Sequence, residues 1–227
     1  MSIKYHTDLI QGSEEWLASR CGLLTASEMK NIITPTLKIA DNDKSRAHLW
    51  ELAAQRITQY VEPHYISDDM LRGQEDEIYA RAAYTKNYAP AQEIGFITND
   101  KFGFTLGYSP DAIVGDDGLI ECKSRRQKFQ IETIITGEMP EDYKIQVQTA
   151  LLVSERKWLD FISYSGGLPM FVKRVLPDAA VQAAILTAAT VFHGKLAEML
   201  EKYKTASVGM VPTERKTEEQ LPEGEWE

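Results

Sequence analysis

Cysteine, long apolar runs and excess positive charge are all scarce in this 227-residue sequence. The two cysteines, Cys21 and Cys122, form no C-x-x-C pair, which argues against a disulfide framework and against a structural zinc or iron–sulfur site. The first residues lack a basic region followed by an apolar stretch, and no run approaches the roughly 18 apolar residues of a membrane span. We therefore expect a cytoplasmic protein that is neither secreted nor inserted in a membrane.

The net charge of −9 argues against nucleic-acid binding, because phosphate contacts usually require a basic surface. The charge is unevenly spread, however. From residue 214 onward six glutamates stand against Arg215 and Lys216, a net of −4, which leaves −5 for the rest of the chain. A metal-dependent nuclease also needs acidic residues in its site, and the bound cation then attracts phosphate. The acidic balance therefore does not exclude a DNA-processing enzyme.

The pattern of apolar and turn-forming residues predicts an α/β fold, with one domain over residues 1–204 and an acidic, flexible tail over 205–227. Ser13 and Gly22 mark the ends of a first helix, and the capping-box spacing of Thr25 and Glu28 predicts a second helix that begins at Thr25. We expect a central mixed β-sheet flanked by helices. Its strands are a meander over 94–123 and a hairpin over 157–176, and further helices are predicted near 50–61, 68–88, 129–136, 140–153 and 178–203.

One predicted hairpin carries the most informative charged residues. Alternation along its second strand places Glu121 and Lys123 on one polar face, while their neighbours pack on the other. A four-residue turn would put Ala112 opposite Glu121 and leave Asp111 one position away. Divergence of the strands at Pro110 would then bring the two carboxylates together.

Two carboxylates beside a lysine suit a hard divalent cation such as Mg²⁺, which prefers oxygen ligands. The cation lowers the pKa of water and neutralises charge on a phosphodiester, while Lys123 orients the attacking water or stabilises the transition state. Alone, the triplet is weak evidence, because an Asp followed by Glu-x-Lys arises by chance in about a third of chains of this size. An exposed hairpin with surface charges is the alternative.

Four blocks of the sequence resemble, in order, those of a known family. They are WLASRCGLLTAS (16–27), RGQEDEIYAR (72–81), SPDAIV with LIECK (109–114 and 119–123) and YKIQVQ (143–148). Together they resemble the phage lambda-type (alkaline) exonucleases, the YqaJ-like viral recombinases of the PD-(D/E)XK nuclease superfamily. Four ordered blocks are far more specific than any one of them. The resemblance implies a restriction-endonuclease-like core.

The resemblance also implies roles for individual residues. The implied metal ligands are Asp111, Glu121, the backbone carbonyl of Cys122 and, in support, Glu77. Lys123 is the implied catalytic lysine. Gln146 is the implied catalytic glutamine, on a helix that faces the active site. Glu75 is the rival of Glu77, but only Glu77 stands at the family's distance from Gly73. A solvated helix carboxylate is the alternative for Glu77, and an amide at the edge of the core is the alternative for Gln146.

A second group resembles the residues that hold a terminal 5′ phosphate in this family: Arg20, Ser27 and Ser109. The predicted helix N-terminus at Thr25 would add free backbone N–H groups. Arg125 follows the catalytic strand and could guide the DNA backbone. The alternatives are a surface ion pair with Glu15 for Arg20, a plain polar residue for Ser27 and a solvated charge for Arg125.

The activity implied by the resemblance is digestion of one strand of linear double-stranded DNA from a 5′-phosphorylated end to mononucleotides. It further implies two Mg²⁺ ions per active site, replaceable by Mn²⁺, a ring-shaped homotrimer on duplex DNA ends, and a single-strand annealing protein as partner in phage-type recombination in a bacterial host. Two other functions stay open: an endonuclease of the same superfamily, restriction or junction-resolving, and a DNA-end-binding protein without catalysis.

Overall fold

The computed structural model describes residues 2–63 and 67–215. The helices in this part of the chain are α1 (Glu14–Arg20), α2 (Asp43–Thr58), α3 (Asp68–Asn87), α4 (Gln127–Thr136), α5 (Lys144–Ser154) and α6 (Ala179–Ala206). The strands are β1 (Ile3–His6), β2 (Leu24–Thr25), β3 (Phe96–Asn99), β4 (Leu106–Tyr108), β5 (Ala112–Val114), β6 (Gly118–Ser124), β7 (Trp158–Tyr164) and β8 (Phe171–Val175). Single 3₁₀ turns cover Met29–Asn31 and Glu141–Tyr143.

The described strands form two four-stranded sheets, in the orders β1-β3-β4-β2 and β5-β6-β7-β8. Both sheets are mixed, because β2 runs parallel to β4 and β6 runs parallel to β7, whereas the other neighbours are antiparallel. The α/β class with mixed pairing is confirmed. The expected single central sheet is instead divided in two, since the chain passes from one sheet to the other between β4 and β5. Pro110 lies in that segment and has no N–H with which to continue a ladder.

Strands β6 and β7 of the second sheet are buried on both faces. On one face Leu119 and Phe161 join the larger core, which also takes in α2, α5, α6 and the first sheet. On the other face Ile120 and Ile162 pack with residues of α3. The expectation of one polar and one packed face is therefore wrong, because α5 covers the face that carries Glu121.

Helix α6 supplies one side of the larger core. Its buried residues recur at helical spacing: Val181, Ile185, Ala188, Ala189, Phe192 and Leu196. By length and hydropathy this helix could also cross a membrane, although the sequence analysis expected no such run, and one such helix is weak evidence for a span. The helix packs on α2 and α5, as a core helix does. It also runs past the predicted domain boundary at 204, and residues 216–227 of the predicted tail lie outside the described residues.

The prediction of a helix that begins at Thr25 is wrong. Thr25 ends β2 and pairs in parallel with Gly107, and the Ala26 N–H donates to the Gly107 carbonyl. The Thr25–Glu28 pair does form, because one Glu28 oxygen accepts from the Thr25 hydroxyl at 2.6 Å and from its N–H at 3.3 Å. It closes a turn rather than capping an α-helix, since tertiary pairing with β4 holds the backbone extended.

The predicted four-residue turn between β5 and β6 is also wrong. Val114 pairs with Gly118 and Ala112 with Ile120, so the turn has three residues. Continuing this register by one position places Asp111 opposite Glu121. The shorter turn therefore aligns the two acids more directly than the expected register did.

Candidate active site

Glu121 lies on β6 beneath α5 and is only 3% exposed. One of its oxygens, Oε1, accepts hydrogen bonds from Lys123 Nζ at 2.7 Å and from Gln146 Nε2. The other, Oε2, accepts from the Tyr108 hydroxyl at 2.8 Å. The strand, the helix and the first sheet thus converge on this carboxylate. The predicted proximity of Gln146 to the catalytic strand is what the structure shows.

Asp111 lies in the segment that joins the two sheets, beside the backbone of Cys122, whose N–H donates to Asp111 Oδ2. Removal from water raises the pKa of Asp111 well above its usual range, and the nearby charges of Glu121 and Glu77 raise it further. Burial likewise raises the pKa of Glu77, with Arg81 opposing that shift. Three carboxylates are therefore crowded at this edge of β6. We call Asp111, Glu121 and Glu77 the carboxylate cluster.

Glu77 rather than Glu75 belongs to this cluster, because Glu75 is exposed to solvent. Glu77 is held by Arg81, whose Nη1 donates to Glu77 Oε1 at 2.6 Å and to the backbone carbonyl of Asp111 at 3.3 Å. The same guanidinium pairs with Glu93 at 2.9 Å. Arg81 therefore ties α3 to the segment that carries Asp111. Sequence reasoning used Arg81 only to align a motif and missed this contact.

Lys123 is the positive charge that contacts Glu121, as Arg81 is the one that contacts Glu77. Burial alone would lower the pKa of Lys123, but the charges of Glu121 and Asp111 outweigh it and raise that pKa. Its Nζ also lies 5.5 Å from the centre of the Tyr143 ring. Lys123 therefore stays protonated at neutral pH, which suits it to stabilise negative charge rather than to accept a proton.

The donor set fits a hard divalent cation, since it offers carboxylate oxygens in a crowded, partly buried cluster. Within residues 2–63 and 67–215, no three His, Cys, Asp or Glu side chains already surround a common point as ligands of one ion would. In the described contacts, Lys123, Gln146 and Tyr108 donate to the oxygens of Glu121, and a backbone N–H donates to one oxygen of Asp111. The ligand roles of Asp111, Glu121, Glu77 and the Cys122 carbonyl remain predictions.

A second cluster of polar residues surrounds Ser109, which precedes Pro110 as Asp111 follows it. Arg20 donates to the Ser109 hydroxyl at 3.2 Å and to the Thr25 hydroxyl at 3.5 Å, and the Thr25 and Ser27 hydroxyls are 3.3 Å apart. We call Arg20, Thr25, Ser27 and Ser109 the anion pocket. The four residues come together as predicted, although without the helix N-terminus that was expected to support them.

Trp16 completes the anion pocket, and sequence reasoning assigned it no role. The guanidinium of Arg20 stacks on the Trp16 ring, 4.3 Å from its centroid, and Trp16 Nε1 donates to the Ser109 hydroxyl at 3.1 Å. One indole therefore orients both residues. Burial lowers the pKa of Arg20, an effect that the charge of Glu28 opposes. The i, i+4 spacing of Trp16 and Arg20 on α1 was the signal available in the sequence.

Arg125 lies near the site but makes contacts of its own. Its Nη1 donates to the Tyr143 hydroxyl at 3.1 Å, and its guanidinium lies over the rings of Phe129 and Tyr143. The neighbouring Arg126 pairs with Asp69. These contacts place Arg125 beside the ring that also contacts Lys123, and its predicted contact with DNA stays a prediction.

Comparison with known proteins identifies the relatives of this chain. Residues 15–157, more than half of the chain, match the model of the YqaJ-like viral recombinase domain. The chain belongs to this family. The predicted family is confirmed, and membership of it favours the core role of α6 over a membrane span. Comparison with curated protein sequences gives no match.

Solved structures agree with this membership. The chain is similar to an alkaline exonuclease, LHK-Exo, from Laribacter hongkongensis, with 33% identity and a TM-score of 0.77. In complex with dAMP the same enzyme matches at 34% identity and a TM-score of 0.78, and each match covers 88% of this chain and 100% of that one. A phage-related exonuclease from Haemophilus somnus 129PT shares the fold, at 12% identity, 78% and 96% coverage and a TM-score of 0.53. This YqaJ-like protein is therefore of the alkaline exonuclease type.

Proposed function

We propose that this YqaJ-like protein is a magnesium-dependent exonuclease that digests one strand of linear duplex DNA from a 5′-phosphorylated end and releases mononucleotides. The observation that carries the proposal is the segment 109–111. Ser109 at its start is bonded to Arg20, and Asp111 at its end belongs to the carboxylate cluster. A single residue, Pro110, thus separates a pocket suited to phosphate from a site suited to hydrolysis.

The anion pocket has the chemistry of a terminal-phosphate site. A guanidinium makes charge-assisted, bidentate hydrogen bonds to phosphate, and the hydroxyls of Ser27 and Ser109 can donate to further oxygens, whereas the Thr25 hydroxyl already donates to Glu28. Trp16 restricts Arg20 to one orientation by stacking on it. A 5′-phosphate carries more charge than a phosphodiester, so such a pocket favours a phosphorylated end over a hydroxyl end.

The carboxylate cluster would hold magnesium through Asp111, Glu121 and the Cys122 carbonyl, with Glu77 in support. When bound, the metal supplies positive charge for the scissile phosphate and lowers the pKa of water. The site would hold up to two ions, and Mn²⁺ could replace Mg²⁺. Lys123 stabilises negative charge on the phosphate. Gln146, whose amide N–H donates to Glu121 in this structure, can turn to donate to a phosphate oxygen.

The solved relatives support this choice of substrate. LHK-Exo is an exonuclease whose structure was determined with dAMP, a deoxynucleotide of the kind released from DNA. The remaining parts of the proposal rest on the family alone. They are a ring-shaped homotrimer on duplex ends, a single-strand annealing protein as partner, and a role in phage-type recombination in the cytoplasm of a bacterial host.

The test compares linear and circular duplexes, with and without 5′ phosphate, in the presence of Mg²⁺. We expect acid-soluble nucleotides from linear duplex only, and faster from phosphorylated ends. Arg20→Ala should lower kcat/KM on phosphorylated ends by about 10- to 100-fold, the value of a charged hydrogen bond, and should abolish the end preference. Lys204→Ala, which removes one exposed cation from the C-terminal turn of α6, is the control and should change neither.

Two results would contradict the proposal in different ways. Cleavage of circular duplex at an equal rate would make the protein an endonuclease of the same superfamily. Release of no nucleotide at any Mg²⁺ concentration, with retained binding to duplex ends, would make it a DNA-end-binding protein.

A further inference from the structure

We propose that Tyr108 is a positioning residue whose hydroxyl fixes which oxygen of Glu121 is presented to the carboxylate cluster. The inference rests on the proposed function, because it concerns the metal-binding use of Glu121. It assigns a role to a residue that none of the four sequence motifs contains.

The contact crosses the boundary between the two sheets. Tyr108 is the last residue of β4 in the first sheet, and Glu121 lies on β6 in the second. Tyr108 is 2% exposed and Glu121 is 3% exposed, and the hydroxyl lies 2.8 Å from Oε2. A hydrogen bond to a carboxylate at this depth is not exchanged with water, so it is among the stronger contacts that a side chain can make.

The two oxygens of Glu121 have different neighbours. Oε1 accepts from Lys123 and Gln146, which are both partly exposed and which the proposed chemistry directs toward the phosphate. Oε2 accepts from Tyr108, which lies in the larger core and has no path to substrate. When Lys123 and Gln146 turn to substrate, the bond from Tyr108 is the one that stays. It leaves Oε1 as the oxygen available to a cation.

Without this bond the orientation of the Glu121 carboxylate would be less well defined. The terminal torsion of glutamate is broad, so a carboxylate with one anchored oxygen loses its orientation when the anchor is removed. Contacts that orient a metal ligand are typically worth about 10- to 100-fold in metal affinity. We therefore expect Tyr108→Phe to weaken divalent-cation binding about 10-fold while leaving the DNA-end contacts unchanged.

The chain offers a matched control in Tyr84. This tyrosine is 1% exposed, and its hydroxyl donates to the buried carboxylate of Asp160 at 2.7 Å. Tyr84→Phe deletes the same atom from the same kind of hydrogen bond, on the α3 side of the second sheet and outside the carboxylate cluster. A loss that reflects only a missing buried hydrogen bond should appear equally in both variants.

The experiment measures Mn²⁺ binding by electron paramagnetic resonance for the full-length wild type, Tyr108→Phe and Tyr84→Phe, without DNA. Thermal unfolding and the Mg²⁺ concentration for half-maximal nucleotide release are measured on the same proteins. We expect similar decreases in Tm for the two variants. Only Tyr108→Phe should show about 10-fold weaker Mn²⁺ binding and a matching rise in the Mg²⁺ requirement, with KM for DNA ends unchanged.

Equal Mn²⁺ affinity in all three proteins would overturn the inference and leave the proposed function standing if the wild type digests DNA. A Tyr108→Phe protein that does not fold would also overturn it, because the hydroxyl would then serve the fold. A wild type that neither binds Mn²⁺ nor releases nucleotides would overturn the inference and the proposed function together.

Discussion

Two carboxylates are buried on adjacent strands of the second sheet, on opposite faces, and their surroundings differ. Asp160 on β7 is 3% exposed and accepts from Arg174 Nε at 2.8 Å, from Arg174 Nη2 at 2.9 Å and from the Tyr84 hydroxyl. Glu121 on β6 is equally buried and is bonded to Lys123, but Asp111 and Glu77 add two further acids nearby. Asp160 pairs with Ile120 in the ladder, so it lies on the face opposite to Glu121.

The difference separates a charge that serves the fold from one that we propose serves the reaction. The charge of Asp160 is matched by one guanidinium and its oxygens are fully hydrogen-bonded, so burial costs little there. The carboxylate cluster has three acids for one lysine and an arginine that it shares with Glu93. Such crowding costs free energy in the absence of a cation, which supports the proposal that the cluster binds one.

The largest effect that would test this contrast is the loss of activity in Asp111→Ala. We expect nucleotide release to fall by on the order of 1000-fold, because the variant removes a proposed metal ligand from the site that we propose stabilises the transition state. The free energy of unfolding should stay the same or rise slightly, since one of three repelling charges is gone. Nucleotide release and urea unfolding measure the two quantities.

The control for that variant is Asp116→Ala, in the exposed turn of the same hairpin. It should leave both measurements unchanged. An Asp111→Ala protein that still digests DNA at the wild-type rate would remove the functional side of the contrast.

A smaller effect is expected from Asp160→Ala, which should decrease the free energy of unfolding by about 2 to 3 kcal/mol. The variant leaves the buried Tyr84 hydroxyl without its acceptor and leaves Arg174 without its counterion. Urea unfolding measures it. Activity per folded molecule should change little, because the side-chain partners of Asp160 are Tyr84 and Arg174, which lie outside the carboxylate cluster.

Asp117→Ala is the matched control, since the ion pair of Asp117 with Lys157 is exposed and worth less than about 1 kcal/mol. If Asp160→Ala cost no more stability than Asp117→Ala, the structural side of the contrast would be refuted.

The smallest effect extends the contrast to a partly buried base, His193. Burial, with Arg56 adding to it, lowers the pKa of His193 to about 4 from its ordinary 6.5, and its ring stacks on Phe104 at 4.3 Å. Below about pH 6.5 the His193 ring binds a proton in the unfolded chain, whereas in the folded protein it stays neutral until the pH approaches 4. Stability should therefore be full above pH 6.5 and fall toward pH 4, by about 1 kcal/mol at pH 5 after allowance for partial exposure.

Unfolding by urea at several pH values measures this loss. In His193→Phe, which keeps an aromatic ring against Phe104, the decrease between pH 6.5 and pH 5 should be smaller by that amount. An identical pH dependence in both proteins would show that His193 does not contribute.

Local sequence signals predicted the helices well where no other element competes for the backbone. The helix expected over 68–88 is observed at Asp68–Asn87, and Pro140 opens the turn that leads into α5. At Thr25 the equally good capping-box signal failed, because pairing with β4 provided hydrogen bonds that the local pattern does not reveal. The register of β5 with β6 failed for a related reason, since turn length is set by both strands together.

The sequence by itself determined which residues could do chemistry, because Asp111, Glu121, Lys123 and Arg20 carry their charges and donors wherever they lie. The tertiary structure decided which of them meet and what orients them. Trp16, Arg81 and Tyr108 make their contacts with Ser109, Asp111 and Glu121 across 13 to 93 positions of sequence. Periodicity in a sequence reports neighbours within one helix or strand, whereas contacts between elements depend on how the elements pack.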